Sequence, residues 1–308
     1  MSKLVNKDRT SPSALIFWSV VPLGIVLRVW LSSLGHNYDL ESYWEVFKIV
    51  LDGKSVYSET ARYNYGPIWF LILGALGRVT LYLGYDDIFH FHVLVGSFLT
   101  LIDVVIALFL RDKYGVACSM FFLINPVSIL ITGYHSQFDS AAILLGLLAC
   151  SNLATSGRRT SALRSVVMSA LVLGLSLATK HILIIFPLWL WWLYRNSSGS
   201  IRTAVLVCSY GCFGAFFIPY LLDSSSIAGI VANVLKYGST HGNSLIERFL
   251  GLFVDIHLLE NSFGLALSRA LFVVGTVCAG GLWISRLGKR SDERDLFFSL
   301  SHHAGDAD

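Results

Sequence analysis

Apolar runs long enough to cross a bilayer recur along the whole of this chain, and no other feature limits its folding so strongly. In hydrocarbon every backbone N–H and C=O must find a partner within the segment, so such runs fold as helices. Charge content points the same way: 14% of the 308 residues are charged, against about 25% in soluble domains. The reading is an all-α, multi-pass transmembrane bundle of about eight to nine membrane segments, with helices in its outer loops. One integral membrane domain covers 1–308, with 14–195 as its core and 196–300 as peripheral helices. The last apolar run, Leu296 to Leu300, is too short to span, so the chain is expected to be cut short there. Ala14 to Leu34 lacks a small-residue cleavage pattern and reads as a first anchor. The net charge of +3 comes from basic residues in short loops and gives no basis for a nucleic-acid partner. All five cysteines sit in apolar runs without a CxxC pair, so buried small residues are expected rather than a disulfide or zinc site.

Lys3, Lys7 and Arg9 precede the first run and place the N-terminus in the cytosol. Arg28, near the end of that run, either snorkels to the interface or faces a polar cavity. The outer segment from Gly35 to Tyr65 holds an amphipathic piece whose Leu40, Tyr43, Trp44, Phe47 and Val50 share one face, which predicts a helix in the interface plane. Phe91 to Leu110 ends in Arg111-Asp112-Lys113 and therefore runs inward, so by parity Gly66 to Gly84 is re-entrant or interfacial. Val116 to Thr132 then runs outward and Ser140 to Leu153 inward. Lys180 and His181 interrupt the next apolar stretch near its outer end, and Asp223 to Glu260 forms a second outer loop.

Four polar clusters then need an explanation, all on the outer side. The first, His36 to Trp44, contains Asp39, which is either a general base with a membrane-surface carboxylate or the cap of the helix that follows. Arg62, Tyr63 and Tyr65 precede Pro67 and read as an aromatic belt or as a pocket for a phosphate or sugar. His135, Gln137 and Asp139 lie within five residues; a catalytic zinc wants three ligands, so hydrogen bonding to a polyhydroxylated substrate suits them better. Lys180 either snorkels to headgroups or neutralises a lipid phosphate. Asp103 lies inside an apolar run, where an unpaired charge costs about 2.5–3.5 kcal/mol; a helix clamp is one way to hold it. Lys236, Tyr237, His241, Asn243, Glu247 and Arg248 add sugar- or phosphate-compatible side chains from the second outer loop.

In order, His36 to Trp44, Arg62 to Trp69, Leu101-Ile102-Asp103-Val104, Asn125-Pro126 through Asp139-Ser140, and Ala178-Thr179-Lys180 resemble the polyprenyl-phosphate-sugar-dependent glycosyltransferases of the GT-C fold. The resemblance is to the GPI mannosyltransferase I and dolichyl-phosphate-glucose glucosyltransferase type of integral membrane enzyme, and covers about residues 36 to 195. It implies an inverting transfer of mannose or glucose from a polyprenyl-phosphate donor to a lipid-linked glycan or protein acceptor on the non-cytosolic face. The membrane would be the endoplasmic reticulum in a eukaryote and the plasma membrane in a prokaryote. It also implies Asp39 as the base, with Asn37 and Glu41 as alternatives for that slot. Substrate binding would fall to Arg62, Tyr63, Tyr65, His135, Gln137, Asp139 and Lys180. Some members use a divalent ion such as Mn or Mg, and no metal ligands are assigned here. The family continues past this chain's end, which points to a partner subunit or a truncated, non-catalytic subunit as the alternative. A transporter or flippase of a lipid-linked sugar is the other competing class. It would make Asp103 rather than Asp39 the sensitive position, although no paired half-repeats are visible.

Overall fold

The computed structural model describes residues 12–156, 162–195 and 198–235, which form helices and turns with no strand among them. The chain divides into two compact units, Met1–Tyr237 and Gly238–Asp308, and every described residue belongs to the first. The sequence readings on Lys236 to Arg248, on Phe263 to Ser285 and on the final apolar run lie outside the described residues.

Two helices are long and apolar enough to cross a membrane, α1 (Pro12–Ser32) and α5 (Ile88–Tyr114). α6 (Val116–Ile124) and α7 (Pro126–Gly133) meet the same criterion together as one span bent by 53°. Two or three such helices among the described residues is fewer than the eight to nine segments expected. The cause is local. α4 (Pro67–Tyr82) stops before Gly84, whose φ of +89° is left-handed, and α9 (Ala162–Thr179) stops at an extended Lys180. After a short turn, α10 (Phe186–Leu193) is only 8 residues long. α8 (Asp139–Ser156) and α11 (Gly199–Ala215) are the other longer helices besides α2 (Tyr38–Leu51), and α3 (Val56–Glu59) is a single turn.

α1 and α5 run antiparallel. The Arg111 guanidinium, late in α5, lies 4.7 Å from the ring of Phe17 early in α1, while Ser32 at the end of α1 packs on Gly96. α4 behaves differently. It begins with Trp69 stacked on Phe138 and leads out through Tyr85, stacked on His90 in the first turn of α5. His92, two residues on, has its Nδ1 2.7 Å from the Gly35 carbonyl oxygen. Both ends of α4 therefore lie at the end of the bundle that carries Gly35 and Phe138.

α2 (Tyr38–Leu51) has the amphipathic face read from its sequence, and other helices of the chain cover that face. Phe47 and Val50 fill notches at Gly77 and Gly74 of α4, where an added Cβ would come within 2.1 and 2.6 Å of them. Trp44 and Phe47 pack on Phe91 of α5 at 5.2 and 5.7 Å between ring centroids. The result is one aromatic core under the outer loops.

A buried ion pair ties α1, α5 and the broken span together. Arg28 is fully buried, and its Nε lies 3.0 Å from Asp103 Oδ2, which also accepts from Thr132 at 2.7 Å. The chain break at Asn125-Pro126 supplies another acceptor. Pro126 has no N–H, and the Val127 N–H goes to Asn125 Oδ1 at 2.9 Å, so the Leu123 carbonyl has no helical donor. Arg28 Nη1 donates to it at 2.8 Å and to Gly24 O at 3.1 Å, and Nη2 donates to Ser128 Oγ at 2.8 Å. Arg28 is thus neither snorkelled nor facing a cavity. Asp103 takes the clamp role.

Candidate functional site

Three chain breaks at one end of the bundle bring the site together. The first follows α1. Asn37, not Asp39, caps α2: its Oδ1 accepts the Leu40 N–H at 3.0 Å, which leaves the Asp39 carboxylate in the first turn free to turn inward. Glu41 is turned outward, toward His36 and Arg62. Of the three candidates for the base, Asp39 is the one that meets Gln137.

The second break follows α7. The N–H groups of Tyr134 and His135 both return to Leu130 O, at 3.0 and 3.1 Å, and that of Gln137 returns to Ile131 O. Ser136 takes φ +50°, a left-handed conformation that costs a serine on the order of 1–2 kcal/mol. The reversal sets Gln137 and Asp139 beside Phe138 at the start of α8. The third break is Lys180, whose N–H still closes α9 on Ser176 O while its backbone turns extended.

These breaks bring four side chains into contact. Gln137 Nε2 donates to Asp39 Oδ2 at 2.6 Å, and Lys180 Nζ donates to Gln137 Oε1 at 3.2 Å. Lys180 Nζ also lies 2.8 Å from Asp139 Oδ1. The amide of Gln137 therefore bridges an ammonium and a carboxylate. Lys180 is only 12% exposed and Asp139 37%, so the lysine is sheltered and the acid opens to solvent.

Phe138 is the floor of this cluster. Its ring stacks on Trp69 at 4.0 Å and meets Tyr65 and Tyr43 edge-on at 4.8 and 6.1 Å. The Lys180 ammonium lies 4.8 Å from the Phe138 ring and 5.3 Å from that of Tyr65, which adds cation–π attraction to the ion pair. Burial holds the Tyr43 phenol well above the usual tyrosine range, and nearby Tyr65, Asp39 and Asp139 act in the same direction. Tyr43 is therefore a neutral hydroxyl. From the sequence, Tyr43 counts as part of an apolar face and Trp69 falls with Arg62, Tyr63 and Tyr65 in the aromatic belt or pocket, while Phe138 is passed over. Phe138 did carry a signal, as the one apolar residue inside the polar patch from His135 to Ser140.

The remaining sequence candidates lie elsewhere. His135 Nδ1 sits 3.0 Å from Asn37 Nδ2, at the exposed edge of the same end. Arg62 is held on the outer face of α2, 3.5 Å from both Glu41 and Glu45, with its guanidinium 3.9 Å from the Tyr38 ring. Its charge is balanced there. The Tyr63 hydroxyl donates to Gly66 O at 2.6 Å and accepts from the Phe70 N–H at 3.1 Å, so it fixes the start of α4. Tyr65 alone of the two tyrosines reaches the Phe138 and Lys180 group.

Among the described residues no three His, Cys, Asp or Glu side chains come together. Each carboxylate already accepts from a donor, and the cation beside them is the Lys180 ammonium.

Gly66 lets the arrangement close. A Cβ there would fall 1.9 Å from the Ala178 carbonyl, two residues before Lys180. Gly66→Ala must push the two chains apart, at a cost of about 1–3 kcal/mol. A lowered melting temperature in detergent is the expected result, and a wild-type value would show that the approach is looser than described.

No family model, no curated protein and no solved structure matches this chain.

Proposed function

We propose that the chain is a GT-C-type integral membrane glycosyltransferase that moves a hexose from a polyprenyl-phosphate donor to a lipid-linked or protein acceptor. In this reading the shorter apolar helices join α1, α5 and the bent pair in a multi-pass bundle, and the Asp39 end faces the non-cytosolic side. The observation that carries the reading is the contact chain Asp39–Gln137–Lys180–Asp139, in which a carboxylate and an ammonium are held together by one amide. Inverting transfer needs these two groups. Asp39 takes the proton of the acceptor hydroxyl as its oxygen attacks the anomeric carbon. The bond from that carbon to the phosphate oxygen breaks on the opposite side, and polyprenyl phosphate leaves with the electron pair. Lys180 offsets the charge that develops on it, in a sheltered position where such an interaction is strong. Gln137 keeps the two apart and oriented, and Asp139 is free to hold a sugar hydroxyl once Lys180 engages the phosphate. Arg62, balanced by two glutamates, is left to support α2.

The environment of Asp103 weighs against the transporter reading. That reading needs charges lining a pathway, whereas Asp103 is 1% exposed and paired with Arg28 and Thr132. The test is transfer from radiolabelled polyprenyl-phosphate hexose in membranes. Lys180→Ala is expected to lower the rate about 10²-fold. An unchanged rate would remove Lys180 from the mechanism, and flux of the lipid without turnover would replace the transferase with a transporter.

A further inference from the structure

The end of the bundle away from Asp39 carries arginines that pair with rings instead of carboxylates. α8 leaves the site at Asp139, and its far half meets α10 and α11 in one cluster with Ala149, Leu153, Leu190 and Val205. Arg195 lies five residues past Leu190 and Arg202 three before Val205, so both stand at that far end. The Arg202 guanidinium lies 4.3 Å from the ring of Trp191, and that of Arg195 lies 4.4 Å from the ring of Trp192. Arg111, at the same end, repeats the arrangement on Phe17.

Stacking covers one face of a guanidinium and satisfies none of its N–H groups. Arg202 Nε is buried without an acceptor among the described residues, and neither Arg195 nor Arg202 pairs with a carboxylate among them. Asp112, a carboxylate at this end, lies instead beside Lys113 at 3.9 Å. A buried donor of a charged group that lacks its acceptor is costly, so the site calls for one. An anion with several oxygens suits it, because a guanidinium takes phosphate with paired N–H groups. The surroundings decide which anion. α10 exposes Leu188, Trp192 and Leu193 at 48%, 37% and 38%, so the arginines sit at the edge of an apolar surface. Such an edge fits a phosphate whose acyl chains lie against the helix better than an anion surrounded by water. Two guanidinium charges without a carboxylate favour a headgroup of net negative charge over a zwitterionic one.

We infer that Arg195 and Arg202, each backed by a tryptophan of α10, bind the phosphate of an anionic phospholipid at the end of the bundle opposite the Asp39 site. The inference takes the chain to lie in a membrane and is independent of the transfer reaction. The ligand is a lipid of the bilayer, and no bond is made or broken. Trp191 and Trp192 hold the two guanidinium groups in place beforehand, so less rotamer freedom is lost when the lipid binds.

Spin-labelled lipids exchanging on the full chain in phosphatidylcholine vesicles test it, with labelled phosphatidylglycerol and labelled phosphatidylcholine as the two probes. Wild type is expected to prefer phosphatidylglycerol. Arg202→Gln and Arg195→Gln should each cut that preference about fivefold, the scale of one basic side chain at an anionic surface. Arg195 is exposed, so Arg195→Gln carries the test should Arg202→Gln fail to fold. Lys113→Gln removes a charge from the same end, beside Asp112, and should leave the preference unchanged. Equal losses in Lys113→Gln and the arginine variants would reduce the effect to net charge and overturn the site. An unchanged preference in both arginine variants would overturn it too, as would equal association of the two lipids with wild type, a measurement that needs no variant. Inorganic phosphate, titrated against labelled phosphatidylglycerol on wild type in detergent, distinguishes the source of the phosphate. Failure to compete supports the lipid, and displacement at a concentration comparable to that of the lipid would mark a site for a soluble anion instead. None of these outcomes touches the transferase reading, which concerns the opposite end of the bundle.

Discussion

Asp39→Asn is expected to lower hexose transfer by about 10²–10⁴-fold, the usual contribution of a positioned general base, with no change in melting temperature. The substitution is nearly isosteric. The new side chain keeps an oxygen that can accept from Gln137 Nε2, so the 2.6 Å contact and the first turn of α2 survive. The helix start is safe as well, because Asn37 and not Asp39 supplies the cap. What is lost is the capacity to take a proton. Membranes supplied with radiolabelled donor lipid measure the effect directly, and Glu45→Gln is a suitable control because Glu45 pairs with Arg62 on the outer face of α2. Full transfer by Asp39→Asn would show that the proton goes elsewhere. Absence of transfer by wild type and variant alike would favour a non-catalytic subunit.

The largest effect on stability is expected at Arg28. Arg28→Met leaves the Asp103 carboxylate buried without its cation and strips the Leu123 carbonyl of its donor. Breaking a buried pair from one side costs about 3–5 kcal/mol, because a charge stays behind without its partner. Asp103→Leu should cost a similar amount by stranding the guanidinium. The double variant is the informative one. With both charges gone no ion is left behind, and replacing a buried pair by apolar side chains of similar size is often neutral, so most of the loss should be recovered. Thermal unfolding of the four proteins in detergent measures the coupling. Additive losses would mean that Arg28 and Asp103 act independently, contrary to the 3.0 Å contact between them.

The clamp also marks a limit of reading by sequence. Asp103 was conspicuous as a charge in an apolar run, and a helix clamp was one of its readings. Its partner was not legible, since Arg28 lies 75 positions away and its hydropathy alone fits snorkelling as well as burial. The same division holds at the site. Asp39, Gln137, Asp139 and Lys180 could be picked out because polar side chains are conspicuous in so apolar a chain. Arg62 was picked out on the same ground, yet it turns to Glu41 and Glu45, because a local pair on the adjacent face of α2 lies nearer than the site does. Tyr43 escaped notice for the opposite reason. Its ring satisfies the apolar periodicity of α2, and hydropathy does not register a hydroxyl buried beside the Trp69 indole.

What the sequence determined by itself is the helical class, the break at Lys180, and the set of polar residues that an apolar environment must accommodate. Those follow from local causes: a charge and runs of apolar side chains. Which of these residues meet, and which way α4 lies, was decided by the tertiary structure. Contacts such as Gln137 with Asp39 join positions 98 apart, and their partners are chosen by helix packing and by close approaches such as Gly66 to Ala178, neither of which a local pattern encodes.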